Sequence, residues 1–135
     1  MGEIAKEVAE QEFERFVEAM DLDIAPETMD EKERQGFSEC KRRVIDALCA
    51  STLVIDEKGQ LTFTPSADEN KTPVTFYEPD GACWMAIDQA KPGHDMTKNL
   101  LFLVAMTRSE KSRFAKMPNR DLKVCLAIAA LAMGG

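Results

Sequence analysis

Between Glu3 and Met20 the apolar residues Ala5, Ala9, Phe13, Phe16, Val17 and Met20 recur at mostly three- and four-residue intervals, and Glu7, Glu10, Glu14 and Glu18 fall on the other side. That spacing predicts an amphipathic helix. Asp21 to Pro26 reads as a link. Thr28 or Asp30 can cap a second helix ending near Ala50, with Met29, Phe37, Cys40, Val44 and Leu48 as its apolar stripe. At Thr52 the period changes to two. Leu53 and Ile55 alternate with polar neighbours, Asp56-Glu57-Lys58-Gly59 supplies a turn with a glycine for positive φ, and Leu61 and Phe63 alternate again. The pattern predicts a hairpin. The polar run Pro65 to Thr72 (PSADENKT) is expected to be an exposed, mobile loop, the least ordered internal segment, because it offers almost no apolar surface to bury.

The next stretch, Thr72 to Ala90, is a strand-to-helix corner. Val74 and Phe76 are two apart and so share a strand face. Pro79 removes an amide donor and biases Glu78 away from helical φ/ψ, which ends the strand. Asp80 can cap a following helix whose apolar side is Cys83, Ala86, Ile87 and Ala90. After Lys91-Pro92-Gly93-His94, Asp95 or Thr97 starts another helix. Its segment Leu100 to Met106 is apolar all round and reads as the most buried helix of the core. Ser109 is expected to cap a short helix containing Phe114, and Asn119 the last one, running through Leu122, Cys125, Leu126, Ile128, Ala129 and Leu131.

The fold expected from these elements is α+β and predominantly helical. A three-stranded antiparallel meander over residues 53–77 lies between a helical part (1–50) and a second one (80–133) of a single domain, 1–135. Leu101, Val104, Ile87 and Phe76 are expected to meet in a common core. At 135 residues a chain buries about two thirds of its unfolded surface and folds without metal or disulfides. No apolar run approaches the roughly 20 residues that cross a bilayer. The acidic start MGEIAKEVAE has no uninterrupted apolar stretch, so neither a signal peptide nor a membrane partner is expected.

Charge adds an asymmetry that the net −7 conceals. Residues 1–31 carry eleven acidic side chains against Lys6 and Arg15, a net −9, whereas residues 98–123 carry seven basic against Glu110 and Asp121, a net +5. Two ordinary solvated faces would produce this, and so would complementary ends that meet between subunits. In the second reading Phe13, Phe16, Val17 and Met20 of one subunit dock beside Arg108, Lys111, Arg113 and Lys116 of the next, giving a heterologous contact that builds a ring or spiral. The alternative is that the first helix folds back on its own core.

The chemistry-bearing residues do not converge on a catalytic, cofactor or metal site. Cys40, Cys49, Cys83 and Cys125 lack CxxC spacing, lie on apolar helical faces and are expected to be buried thiols. His94, the single histidine, lies in a Pro-Gly break without an implied Ser or Cys partner. Residues 56–59 have neither the ligand spacing nor the distal glutamate of a calcium loop. Phe102 and Phe114, the aromatics among the basic residues of 98–123, suit a core better than base stacking, so no nucleic-acid partner is expected.

The block LTFTP, a polar loop, PVTFYEPDGACWMAIDQA and MTKNLLFLVAMTRSEKSRFAKMPNRDLKVCLAIAALAM resembles the tail assembly chaperones of long-tailed bacteriophages, over roughly residues 60–133. Tyr77-Glu78-Pro79 matches that family's "-EP-" corner. Ile87-Asp88-Gln89-Ala90 stands at the place of its helix with a Leu/Ile and Asp-x-x-Ala pattern, with Asp88 here two residues before Ala90, while Leu100 to Met106 matches its apolar helix, Ser109-Glu110 its short capped helix, and Met117 to Leu122 the opening of its last helix. The resemblance implies a non-enzymatic factor of the host cytoplasm, absent from the finished virion and without cofactor. It would oligomerise around the phage tape measure protein, keep it soluble, and aid assembly of the tail tube protein. Eight methionines suit adaptable binding of a helical client, and equally simple core filling. A structural head–tail connector or tail terminator is the alternative, and a host-directed regulator that binds nucleic acid is a third.

Overall fold

The computed structural model describes residues 4–22, 24–65, 73–88 and 90–133, without the side chains of Pro26 and Asp95. Its elements are α1 (Lys6–Ala19), a 3-10 turn (Pro26–Thr28), α2 (Glu31–Cys49), β1 (Leu53–Ile55), β2 (Leu61–Phe63), β3 (Val74–Phe76), α3 (Gly81–Ile87), α4 (Asp95–Thr107), α5 (Lys111–Ala115) and α6 (Asn119–Ala132). This is the helix-rich α+β arrangement with a small meander expected from the periodicity.

Strands run antiparallel in the order β1-β2-β3, with Leu53 opposite Phe63, Ile55 opposite Leu61, and Leu61 in turn opposite Phe76. Because side chains alternate across a pleat, this register puts Leu53, Ile55, Leu61, Phe63, Val74 and Phe76 on one buried side. Helices α1 and α2 cover it at β1, and α4 covers it at β3. Tyr77 N–H donates to the Met106 carbonyl at 3.1 Å, tying the end of β3 to α4. On the other side of the core α6 packs between α2 and α4.

The β1–β2 turn shows how the sheet is seated on α1. Asp56 Oδ1 accepts from the amides of Lys58 and Gln60, both at 2.9 Å, and Gly59 has φ +84°. A Cβ at Gly59 would lie 2.5 Å from Cβ of Ala19, so glycine is required by conformation and by close approach. Arg15, paired with Glu12 at 2.6 Å, donates from Nη2 to the Asp56 carbonyl at 2.7 Å. The turn is therefore held from the helix side as well as from within.

Helix starts are capped by a side chain in two places and not in the four others, of which α1 begins after Ala5. Asp30 forms a full capping box with Glu33 at the start of α2, and Asp80 accepts from the amides of Ala82 and Cys83 at the start of α3. The N-cap of α4 is His94, without a side-chain hydrogen bond, and the helix starts at Asp95. Ser109 does not cap α5: its hydroxyl contacts the Thr107 carbonyl at 3.4 Å and Glu110 is the N-cap. Asn119 lies inside α6, whose N-cap is Pro118, a residue that fixes φ suitably for the residue preceding a helix.

Burial corrects several expectations. The most buried helix is α6, with Cys125, Ala127, Ile128, Ala129, Leu131 and Ala132 inside, since alanines let neighbouring helices approach closely. Among the described side chains of α4 only Phe102, Leu103, Met106 and Thr107 are buried. Phe76 is in the core, but Val104 and Ile87 are half-buried at its edge, and Leu101 is half-buried without joining it, because one side of α4 is left uncovered. In α2 the buried stripe is Val44, Ile45, Ala47 and Leu48; Phe37 and Cys40 are half-buried against it. Pro65 is buried, contrary to an exposed loop start, and the rest of the expected mobile loop lies outside the described residues.

Candidate functional site

The expected docking stripe on α1 is not a free surface. Phe13, Phe16 and Met20 are buried in the chain's own core and Val17 is half-buried against it. The two phenylalanine rings lie 6.0 Å apart, and Lys41 of α2 places Nζ 5.3 Å above the Phe13 ring. The first helix thus folds back on its own protein, and the expectation that this stripe supplies a contact between subunits is corrected. Periodicity identified the apolar side; it could not say which chain covers it.

The basic residues lie at another place. Arg108 ends α4 in a left-handed conformation, φ 54°, with its guanidinium 4.0 Å from the centre of the Tyr77 ring, a cation–π contact. Lys111 and Lys116 are exposed on and just after α5, and Arg113 is half-buried. Its neighbour in charge terms is Cys125: burial first, and the Asp121 carboxylate second, push that thiol up to about 12, while the Arg113 guanidinium pulls it down. Cys125 Sγ also approaches Met117 Sδ at 3.9 Å. Burial raises Cys83 and Cys40 as well, which disfavours the reactive thiolate in all three. Cys83 and Cys125 are buried as expected, whereas Cys40 and Cys49 are only half-buried. Among the described residues no group of His, Cys, Asp and Glu is arranged to hold a metal ion, and no helix is long and apolar enough to cross a membrane.

What the fold does build is a cleft at the strand-to-helix corner. It has a volume of about 510 Å³ and its apolar walls are Met20, Leu22, Pro79, Trp84, Ala132 and Met133. Asp21 and Glu78 supply the polar part of the lining. Pro79 and the Asp80 cap turn the chain out of β3 into α3, which sets Trp84 one residue past Cys83 and off the buried side. Trp84 is 46% exposed, resting edge-on against Phe102 with ring centres 5.1 Å apart. Met20 and Glu78 also line an adjoining recess of about 390 Å³ that leads to Lys58 and Gly59 of the hairpin turn. On α3 and α4, Met85 (71% exposed) and Met96 (67% exposed) are also turned to solvent. Met96 lies at a different recess, between α2, α4 and α6.

Of the expected interaction residues, only Met20 belongs to the cleft. Leu22, Pro79, Trp84, Ala132 and Met133 were missed as site residues, although one signal was present. With Cys83, Ala86 and Ile87 defining the inner side of a helix, Trp84 and Met85 stand about 100° and 200° away from Cys83, so a large aromatic and a methionine were bound to face outward. Comparison with known protein families, with curated proteins and with solved structures found no match.

Proposed function

We propose that this protein is a non-enzymatic tail assembly chaperone of a long-tailed phage, acting in the host cytoplasm and absent from the finished particle. It binds the tape measure protein, keeps it soluble as an oligomeric sleeve, and hands it to the tail tube protein. One observation carries the reading. The Glu78-Pro79 corner on which the sequence resemblance rests is also a wall of the cleft holding Trp84, Met20 and Met133. Methionine and tryptophan side chains at a surface cleft adapt to varied apolar partners, which suits a client offering successive helical segments. Neither cofactor nor nucleic acid enters this mechanism.

Co-expression with the tape measure protein of the same phage tests the proposal. The client should move from the insoluble to the soluble fraction and co-purify with this chain, and the chain should be missing from purified particles. A client that stays insoluble would reject the chaperone reading, and stoichiometric presence in the particle would favour a connector or tail terminator. Sedimentation of the purified chain should show an oligomer.

A further inference from the structure

The cleft's own lining is electrically one-sided, the cation Lys58 lying in the adjoining recess, and this restricts its partner. Asp21 and Glu78 line it, and among the described residues neither is in an ion pair. Two helices also end there: Met20 is the C-cap of α1 and Met133 that of α6, and neither helix has a basic residue in its last turn. A helix C-terminus carries partial negative charge that attracts cations. Two carboxylates and two uncompensated C-termini therefore surround a floor of Leu22, Trp84 and Met133.

We propose that this cleft receives a basic amphipathic helix of a partner protein, its apolar side chains inserted between Trp84 and Met133 and its Lys or Arg residues against Asp21, Glu78 and the two helix ends. The proposal rests on the reading above that the protein binds a helical client, and it assigns that client's chemistry and seat. A second copy of the chain does not meet the requirement through its basic residues 108–116 or its first helix. Its basic residues Lys111 and Lys116 flank Phe114, which is 1% exposed, Arg108 is engaged over Tyr77, and the apolar stripe of α1 is buried.

Trp84 is the single tryptophan of the chain, so its emission reports on the cleft directly. The probe is a synthetic peptide of about 18 residues built from Leu and Lys, with leucines at i, i+3, i+4 and i+7. Its counterpart carries Glu at every Lys position. The Lys peptide should shift Trp84 emission to the blue and bind at least about tenfold more tightly than the Glu peptide. The Asp21→Asn/Glu78→Gln double variant, which retains a residue type tolerant of the positive φ at position 21, should weaken the Lys peptide by about fivefold or more. Raising salt from about 0.05 to about 0.5 M should reproduce most of that loss. Met133→Gln should weaken binding at both salt concentrations. Unaltered circular dichroism melts establish that each variant is folded.

Equal affinity for the two peptides, wild-type affinity in the double variant, or a change in oligomer distribution on neutralising Asp21 and Glu78 with no peptide binding would each overturn the proposal. Should the double variant still solubilise the tape measure protein as wild type does, the cleft assignment fails and the chaperone reading stands. Should wild type bind the peptide yet leave that client insoluble, the reading fails and the cleft assignment stands.

Discussion

Helices α1 and α3 both carry large apolar side chains, and they are held in place by opposite means. α1 is 14 residues long and its N-cap, Ala5, makes no side-chain hydrogen bond; Phe13, Phe16 and Ala9 are buried against α2 and the sheet. α3 is 7 residues long, buries only Cys83, and is started by Asp80 accepting from two backbone amides. An isolated helix shorter than about 12 residues is marginal in water. Packing therefore decides α1, whereas α3 depends on a local cap and on α4 alone for much of its contact. The helix that is fixed by its cap is the one able to leave Trp84 and Met85 in solvent.

That contrast is sharpest at Phe16. Phe16→Ala removes a ring that is fully buried, and should cost about 3–5 kcal/mol in chemical denaturation; a loss under about 1 kcal/mol would mean that α1 is not seated on the core. Gly59→Ala attacks the same helix from the turn that abuts it. Positive φ and the approach to Ala19 together should cost about 1–3 kcal/mol. Ala19→Gly in the same background should recover the steric share, so simple additivity in the double-mutant cycle would refute the contact.

Asp80→Ala removes the cap of α3 and should cost about 1 kcal/mol. Hydrogen exchange of residues 82–88 should accelerate more than that of α1, and equal acceleration in both helices would show that α3 has no stability of its own to lose. Smallest of all is Met85→Ala, which deletes a side chain exposed to solvent and should change stability by no more than about 0.5 kcal/mol. A larger loss would place Met85 in a contact within the fold.

How much of this was legible in sequence depends on whether the signal was local. Alternation of Leu53, Ile55, Leu61 and Phe63 around Asp56–Gly59 specified the hairpin and its inward side, because a one-residue slip would turn every side chain over. Asp30 and Asp80 were legible as caps because the hydrogen bonds they make reach only two or three residues along the chain. The stripe of α1 was visible too, but the surface covering it comes from residues far away in sequence, and no local pattern names that surface. Leu101 illustrates the reverse case. A run that is apolar on all sides gives no direction, so the uncovered side of α4 could be found only from the packed helices. The cleft was least legible, since it is assembled from the ends of α1 and α6 and from the corner after β3.

The distance along the chain between α1 and its cover also orders events during synthesis. Arg15 waits for Asp56, and Ala19 for Gly59, so the first helix leaves the ribosome well before its seat exists. At translation rates of about 5–20 residues per second, Phe13 and Phe16 wait some seconds for α2 and then the hairpin to cover them. Throughout that interval Glu7, Glu10, Glu14 and Glu18 give every nascent copy the same charge along one side, which opposes close approach of two copies whose apolar stripes are still open.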